Sequence, residues 1–539
     1  FIPGKDASLE ATINTLQARL AALGFAVEER SWLNPVDGVW SVHVSDVECP
    51  LLFTNGKGAS RLAALASALG EFFERLACSY FWTHYYLGEA FANAGFTHYP
   101  RERWFPLDDS DAWPDGLLSA ELRQLYNPDD SIPASALVDL NSGNAERGIC
   151  ALPYERQRDG ATVWFPVNTI GNLYVSNGMS AGNTPTEARV QALAEILERH
   201  VKFRVIAEGL CLPEVPEAVI ARYPHIAAGI HALRTAGFGI RVKDASLGGR
   251  YPVMNVTLLN PHDQGVFASF GAHPRVEIAL ERALTELLQG RGLDALGGFP
   301  EPGFDLDEIA SAPNLEIHFV DSSGIISWEF LGDAPDFEFA DWNFSATTAE
   351  DYVWLVDCLH REGRDIYIAD FPHLGVYACR ILVPGMSEIY PLDDLEWENN
   401  SVGNTLRPAI LSLPELDDDA CADLLDALGD LNIADERPVA ALIGLAADPG
   451  SLWADLRVGE LKLLLALAIG DPESIREGCD WVRHFEQLDA SRRKVYRCIE
   501  SLFKLADTED AEEEALPDAA DYAPYRPALE QLYGKDVLS

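Results

Sequence analysis

The stretch SLEATINTLQARLAALG (8–24) spaces its apolar residues with a helical period and predicts an amphipathic helix. Shorter apolar runs rich in β-branched and aromatic residues follow around FAVEER, VWSVHV and PLLFT, and these predict strands. The theme recurs with strands expected in WFPVNTIGNLYVS, YPVMNVTLL and GVFASF, and later in EIHFV, DIYIAD and VYACRILVP. Between them lie three longer apolar stretches of helical period, ASRLAALASALGEFFERL, TPTEARVQALAEILERH and ERALTELLQGRG. Irregular alternation of strands and helices predicts an α+β domain of two related halves over residues 1–400. From 401 to 539 strand signals stop. WADLRVGELKLLLALAIGDPESIREGCDWVRHF and ASRRKVYRCIESLFKLAD read as antiparallel helices with a G-D turn, either tetratricopeptide-like or a generic bundle. The run DTEDAEEEALPDAAD reads as a solvated loop or linker.

Two of the long helices carry the same signature, E-x-x-E-R, at Glu71/Glu74/Arg75 and Glu195/Glu198/Arg199. Both are entered from an N-G turn and a small-residue loop, which suggests an internal duplication. Residues three and four apart share a helix face, so Ser67, Glu71, Glu74 and Arg75 project together, as do Gln191, Glu195, Glu198 and Arg199. One such pattern is ordinarily a solvated face. Two copies on apolar helices are not, because partly buried carboxylates need partners or metal ions. The third helix adds Arg282, Glu286 and Gln289 in the same rhythm. Facing acids and arginines suggest a Mg-nucleotide site, since Mg²⁺ takes hard oxygen ligands and bridges carboxylates to phosphates, while arginine holds phosphate oxygens bidentately. In NGMSAGNTPTE, Thr184 can cap, Pro185 suits the first helical position, and Glu187 can complete a capping box. Ser180 and Asn183 then either meet a phosphate or ribose or serve as turn and cap residues.

S-x-x-x-E-x-x-E-R (67–75), E-x-x-x-Q-x-x-x-E-x-x-E-R (187–199) and R-x-x-x-E-x-x-Q (282–289) resemble the three ATP and magnesium motifs of the YcaO superfamily. FIPGKD, SWLNPV, GNLYVSNGMSAGNT, FGAHP, TELLQGRGL, FVDSSG, DWNFS, YIAD and HLGVYACR extend the resemblance, to stand-alone bacterial members, over nearly the whole chain. It implies ATP and Mg²⁺ as cofactors, with Glu71, Glu74, Glu195, Glu198 and Glu286 as metal ligands. Lys5, Ser67, Arg75, Ser180, Asn183, Glu187, Gln191, Arg199 and Arg282 become nucleotide contacts, and Glu71, Glu198, Arg199 and Glu286 carry the catalytic role. The implied chemistry is phosphorylation of a backbone amide oxygen by ATP, which asks the protein for positioning and charge neutralisation. It further implies an accessory role in β-methylthiolation of small-subunit ribosomal protein twelve, beside a separate radical-SAM methylthiotransferase. Azoline-forming members end in a proline-rich tail, whereas this sequence ends ALEQLYGKDVLS, so azoline formation is not expected.

Composition narrows the alternatives. With 539 residues, 48% hydrophobic and 23% charged, the chain has room for a large core and a second domain. A net charge of −45 argues against a nucleic-acid surface and favours a basic protein partner. The nine cysteines show no C-x-x-C or ferredoxin spacing and read as buried free thiols; with no signal segment, the cytoplasm is the expected compartment, and a homodimer is expected. No apolar run reaches membrane-spanning length. TNGKGAS is not a P-loop, and twelve scattered histidines give no zinc motif. Two other readings stay open. A carboxylate–amine ligase would release phosphate with an amine and no peptide, and a nucleotide-switched adaptor would hold Mg-ATP without steady hydrolysis.

Overall fold

The computed structural model describes residues 1–94, 97, 99, 101–390, 403–485, 487–506 and 516–538. Contacts divide the chain into two units, one formed by Phe1–Thr83, Glu89–Asp139 and Asn144–Asn399, the other by His84–Gly88, Leu140–Gly143 and Asn400–Ser539. The expected domain boundary at 400 and residues 507–515 of the acidic run lie outside the described residues.

Unit one holds three antiparallel sheets. Strands Val27–Val36, Val39–Asp46 and Phe53–Gly58 form a meander, and helix Arg61–Ala77 returns across it. Strands Gly239–Asp244, Val253–Leu259 and Val266–Ala272 form a second meander, followed by helix Val276–Leu287. The two strand–helix units match residue for residue where they pack. Thr54 Oγ1 donates to Ala68 O at 2.8 Å and Ser269 Oγ to Ala283 O at 2.6 Å, each bond spanning fourteen residues. Two positions on from each hydroxyl stands a glycine. A Cβ on Gly56 would lie 2.0 Å from Ala64 O, and one on Gly271 2.3 Å from Ala279 O, so strand and helix approach too closely for a side chain. The repeat in the fold therefore joins the first signature helix to the third. The second helix, Pro185–Ala207, packs instead on the six-stranded sheet, in which the path 103–105, 149–156, 367–371, 377–382 and 179–182 is joined by 162–166 alongside 149–156.

Three readings of the sequence are corrected. TNGKG is not a turn: Thr54–Gly58 are strand residues, and only Ala59 and Ser60 separate strand from helix. WFPVNTIGNLYVS is strand only over Thr162–Pro166, then helical through Val167–Thr169 and Ile170–Tyr174, where Asn168 and Asn172 bond one turn apart. EIHFV lies in helix Ala312–Val320, which buries the polar Asn314 and His318 while Ile317 and Val320 face solvent, so its apolar residues do not mark its inner face.

Unit two is helical. Asp418–Asp430, Val458–Ile469, Pro472–His484 and Ala490–Ala506 pack successively around two apolar clusters. The expected G-D turn forms, with Gly470 in the left-handed region (φ 69°) ending one helix and Pro472 opening the next. All nine cysteines are free and eight are buried. No helix among the described residues is long and apolar enough to cross a membrane.

Candidate functional site

Helix Arg61–Ala77 is anchored by buried Leu65, Leu69, Phe72, Phe73 and Leu76, and this stripe leaves Glu71, Glu74 and Arg75 on one partly exposed face. Arg75 donates to Glu71 Oε1 from Nη2 at 2.7 Å and from Nε at 3.0 Å. Helix Pro185–Ala207 presents Gln191, Glu195, Glu198 and Arg199 in the same way, with Arg199 Nη1 at 3.1 Å from Glu195 Oε1. Helix Val276–Leu287 supplies Arg282 and Glu286.

These helices meet. Arg282 Nη1 donates to Gln191 Oε1 at 2.7 Å, and its Nη2 lies 3.9 Å from Glu198 Oε2, which also accepts from Ala272 N at 3.0 Å. Gln289 Nε2 donates to Asn55 O at 2.7 Å, tying the third helix's end to the strand that enters the first. Lys57, on that strand, is ion-paired with Glu286. Burial pushes the Lys57 amine down to about 8 against the pull of Glu198. The five glutamates thus share one neighbourhood, and protein cations hold the oxygens of Glu71, Glu195 and Glu286. Glu74 differs. No hydrogen bond or ion pair reaches its carboxylate among the described residues. Burial first, then the charges of Glu195 and Glu71, push its pKa well above the ordinary value. Glu195 is raised as well, chiefly by burial. No three His, Cys, Asp or Glu side chains among the described residues are already disposed as a metal cage. The donor set nevertheless suits Mg²⁺: five carboxylates offer all-oxygen ligands, and that of Glu74 is bonded by no protein group among the described residues.

The remaining candidates group at the start of the second helix. Thr184 caps it by accepting from Glu187 N at 3.1 Å, with Pro185 in the first turn. The capping box is not completed: the buried Glu187 carboxylate accepts from Asp6 N at 2.8 Å and from Asn183 Nδ2 at 3.0 Å, and lies 3.3 Å from Lys5 Nζ. Asn183 also accepts from Thr12 Oγ1 at 2.9 Å. Lys5, Asn183 and Glu187 therefore tie the first residues of the chain to this helix end. Ser180 is buried in strand Met179–Gly182, and Ser67 is exposed on the first helix, where no bond draws it into the cluster. His273 is buried with Nδ1 accepting from Arg275 N at 3.0 Å. Burial and the charges of Arg282, Arg275 and Lys5 hold the ring neutral, so its 3.6 Å approach to Asp351 is not an ion pair. His200 packs edge-on against Tyr251.

Two lysines escaped the reading of the sequence. Lys57 is hidden in the strand read as a turn. Lys202, one turn beyond Glu198, donates to His318 O and to Ser322 Oγ (2.6 Å), and burial pushes its amine down to about 7. An i, i+4 extension of the second signature reaches Lys202 and is the one local signal for it.

A family model described as YcaO cyclodehydratase, ATP- and Mg²⁺-binding, matches residues 55–387, and one for the YcaO cyclodehydratase C-terminal domain matches 403–539. The chain belongs to the YcaO family. It is 51% identical, over 100% of its own length and 91% of the relative's, to the ribosomal protein S12 methylthiotransferase accessory factor YcaO of Escherichia coli (strain K12). An uncharacterised protein of Haemophilus influenzae is 50% identical over the same shares. Among solved structures, a heterocyclase in complex with substrate and cofactor has a TM-score of 0.48 at 18% identity, covering 71% of this chain and 53% of its own. YcaO from Methanopyrus kandleri bound with AMPPCP and Mg²⁺ has a TM-score of 0.42 at 18% identity, covering 71% and 92%. ATP and Mg²⁺ are thus the cofactors of the YcaO family to which residues 55–387 belong.

Proposed function

We propose that this protein is an ATP- and Mg²⁺-dependent YcaO factor that assists β-methylthiolation of ribosomal protein S12 in the cytoplasm, together with a methylthiotransferase. Its full-length identity with the Escherichia coli accessory factor supports the biological role. The observation that carries the chemistry is Glu74, a half-buried carboxylate beside Glu71 and Glu195 that no hydrogen bond or ion pair reaches among the described residues.

In this reading Glu71, Glu74, Glu195, Glu198 and Glu286 hold magnesium. Bound Mg²⁺ would neutralise charge on the triphosphate of ATP. Arg282, held by Gln191, presents a guanidinium aimed by a second helix and suited to a phosphate oxygen. Arg199, stacked 4.5 Å from the Phe319 ring centroid, is shielded from water on one face. Lys57 supplies a compact cation that can leave Glu286 for a phosphate. A substrate amide oxygen placed in line would attack the γ-phosphorus as the bond to ADP breaks, leaving an O-phosphorylated amide. The protein contributes alignment and fixed charge rather than a nucleophile.

The test is a reconstituted reaction containing this chain, the methylthiotransferase and ribosomal protein S12, with ATP consumption and the mass of S12 followed together. Wild-type chain should raise modification only with Mg-ATP, and Glu198→Gln should abolish the gain. Full activity of Glu198→Gln, or modification indifferent to the chain, would overturn the proposal.

A further inference from the structure

Gly303 and Ser327 form a parallel bridge, in which Gly303 N donates to Ile326 O at 2.9 Å and Trp328 N to Gly303 O at 3.0 Å. The bridge sets Phe304 beside Trp328 with the rings stacked, centroids 6.0 Å apart at 24°. Both face solvent: Phe304 is 78% exposed and Trp328 47%, with Leu306 close in sequence at 38%. An aromatic pair stacked in water instead of in a core marks a surface made for contact.

The charge carried by the segment that holds this face is one-sided. Between Arg291 and Arg361 the sequence has no lysine or arginine and fifteen Asp and Glu residues. Glu301, Asp307, Glu308 and Glu329 flank the aromatic pair in sequence and are exposed. No ion pair reaches any of the four among the described residues. Some other acids of the unit do find partners, as Asp341 of the same segment does in Arg222 and Glu214 in Arg241. The same segment reaches the nucleotide-site helix from its inner side: Phe319 lies under Arg199, while His318 and Ser322 accept from Lys202.

We infer that the Phe304–Trp328 face is a docking surface for a basic polypeptide segment. An arginine of the occupant stacks on the Trp328 ring, flanking cations meet the unpaired acids, and long-range attraction brings the segment in. A second copy of this chain is disfavoured as the occupant, because it too carries −45, and an anionic membrane is repelled for the same reason. That the segment belongs to a ribosomal protein rests on the proposed function; the docking chemistry does not.

The experiment uses the full chain and a fluorescein-labelled oligo-arginine peptide, read by anisotropy over a salt series. Phe304→Ser with Trp328→Ser should weaken binding about tenfold, equivalent to about 1.4 kcal/mol of stacking. Glu301→Gln with Glu308→Gln and Glu329→Gln should flatten the salt dependence. Both variants should bind Mg-ATP as the wild type does, which separates this inference from the nucleotide site. Unchanged peptide affinity in the aromatic double variant overturns it, as does a dimer in light scattering that the aromatic double variant converts to monomer.

Discussion

Arg282 on the third signature helix and Gln191 on the second are joined by a 2.7 Å hydrogen bond between elements far apart in sequence. The amide holds the guanidinium from one side while Glu198 stands 3.9 Å away on the other. Gln191→Leu should therefore cost about 1 kcal/mol of stability and loosen the arginine. Arg282→Ala should lower ATP turnover about a hundredfold, as removal of one preorganised charge does elsewhere. Urea midpoints and steady-state phosphate release check the two effects, and Arg282→Lys should recover only part of the loss because the fork geometry is gone.

Glu74 makes the site sensitive to pH. Its folded pKa lies well above the ordinary 4.5, chiefly through burial, so across that window the folded chain keeps a proton that the unfolded chain has released. Stability without metal should then fall as pH rises through the window, and Glu195 should act in the same direction. Magnesium needs the carboxylate form, so its binding should release protons, and its stabilising effect should grow as pH rises. Glu74→Gln should remove much of both slopes. Thermal melts from acid to neutral pH, with and without Mg²⁺, give the measurement.

The close strand–helix approaches predict a contrast among glycines. Gly56→Ala and Gly271→Ala would put a methyl on backbone atoms 2.0 and 2.3 Å away and should each cost about 1–3 kcal/mol. Gly70→Ala, inside the first signature helix with nothing within 4 Å, should instead stabilise by about 0.5–1 kcal/mol. Chemical denaturation of the three variants checks both signs.

Much of the cluster was legible in the sequence because a helix converts spacing into a shared face without help from the rest of the fold: Glu71 with Arg75 and Glu195 with Arg199 are i, i+4 pairs, and both form. What depended on distant partners was hidden. Thr54–Gly58 contains an N-G pair that locally favours a turn, and it becomes a strand because Val39–Asp46 pairs with it and the helix packs over its glycines. EIHFV misled because Asn314 is drawn inward by the carbonyls of Ile309 and Ile325, so that helix hides polar residues and shows apolar ones. Glu187 gave up its capping-box bond because the first residues of the chain, far away in sequence, offered Asp6 N and Lys5.

The matched packing of Thr54 and Gly56 with Ser269 and Gly271 makes Glu71 and Glu286 mates under a local pseudo-symmetry. A symmetric cradle cannot tell the two ends of a ligand apart. A nucleotide held here as proposed would take its direction from positions where the two copies differ, Ser67 against Arg282 and Arg75 against Gly290, and from the unrelated helix that carries Glu195 and Glu198. Polarity in this site is thus a product of broken equivalence between two halves that keep the same backbone.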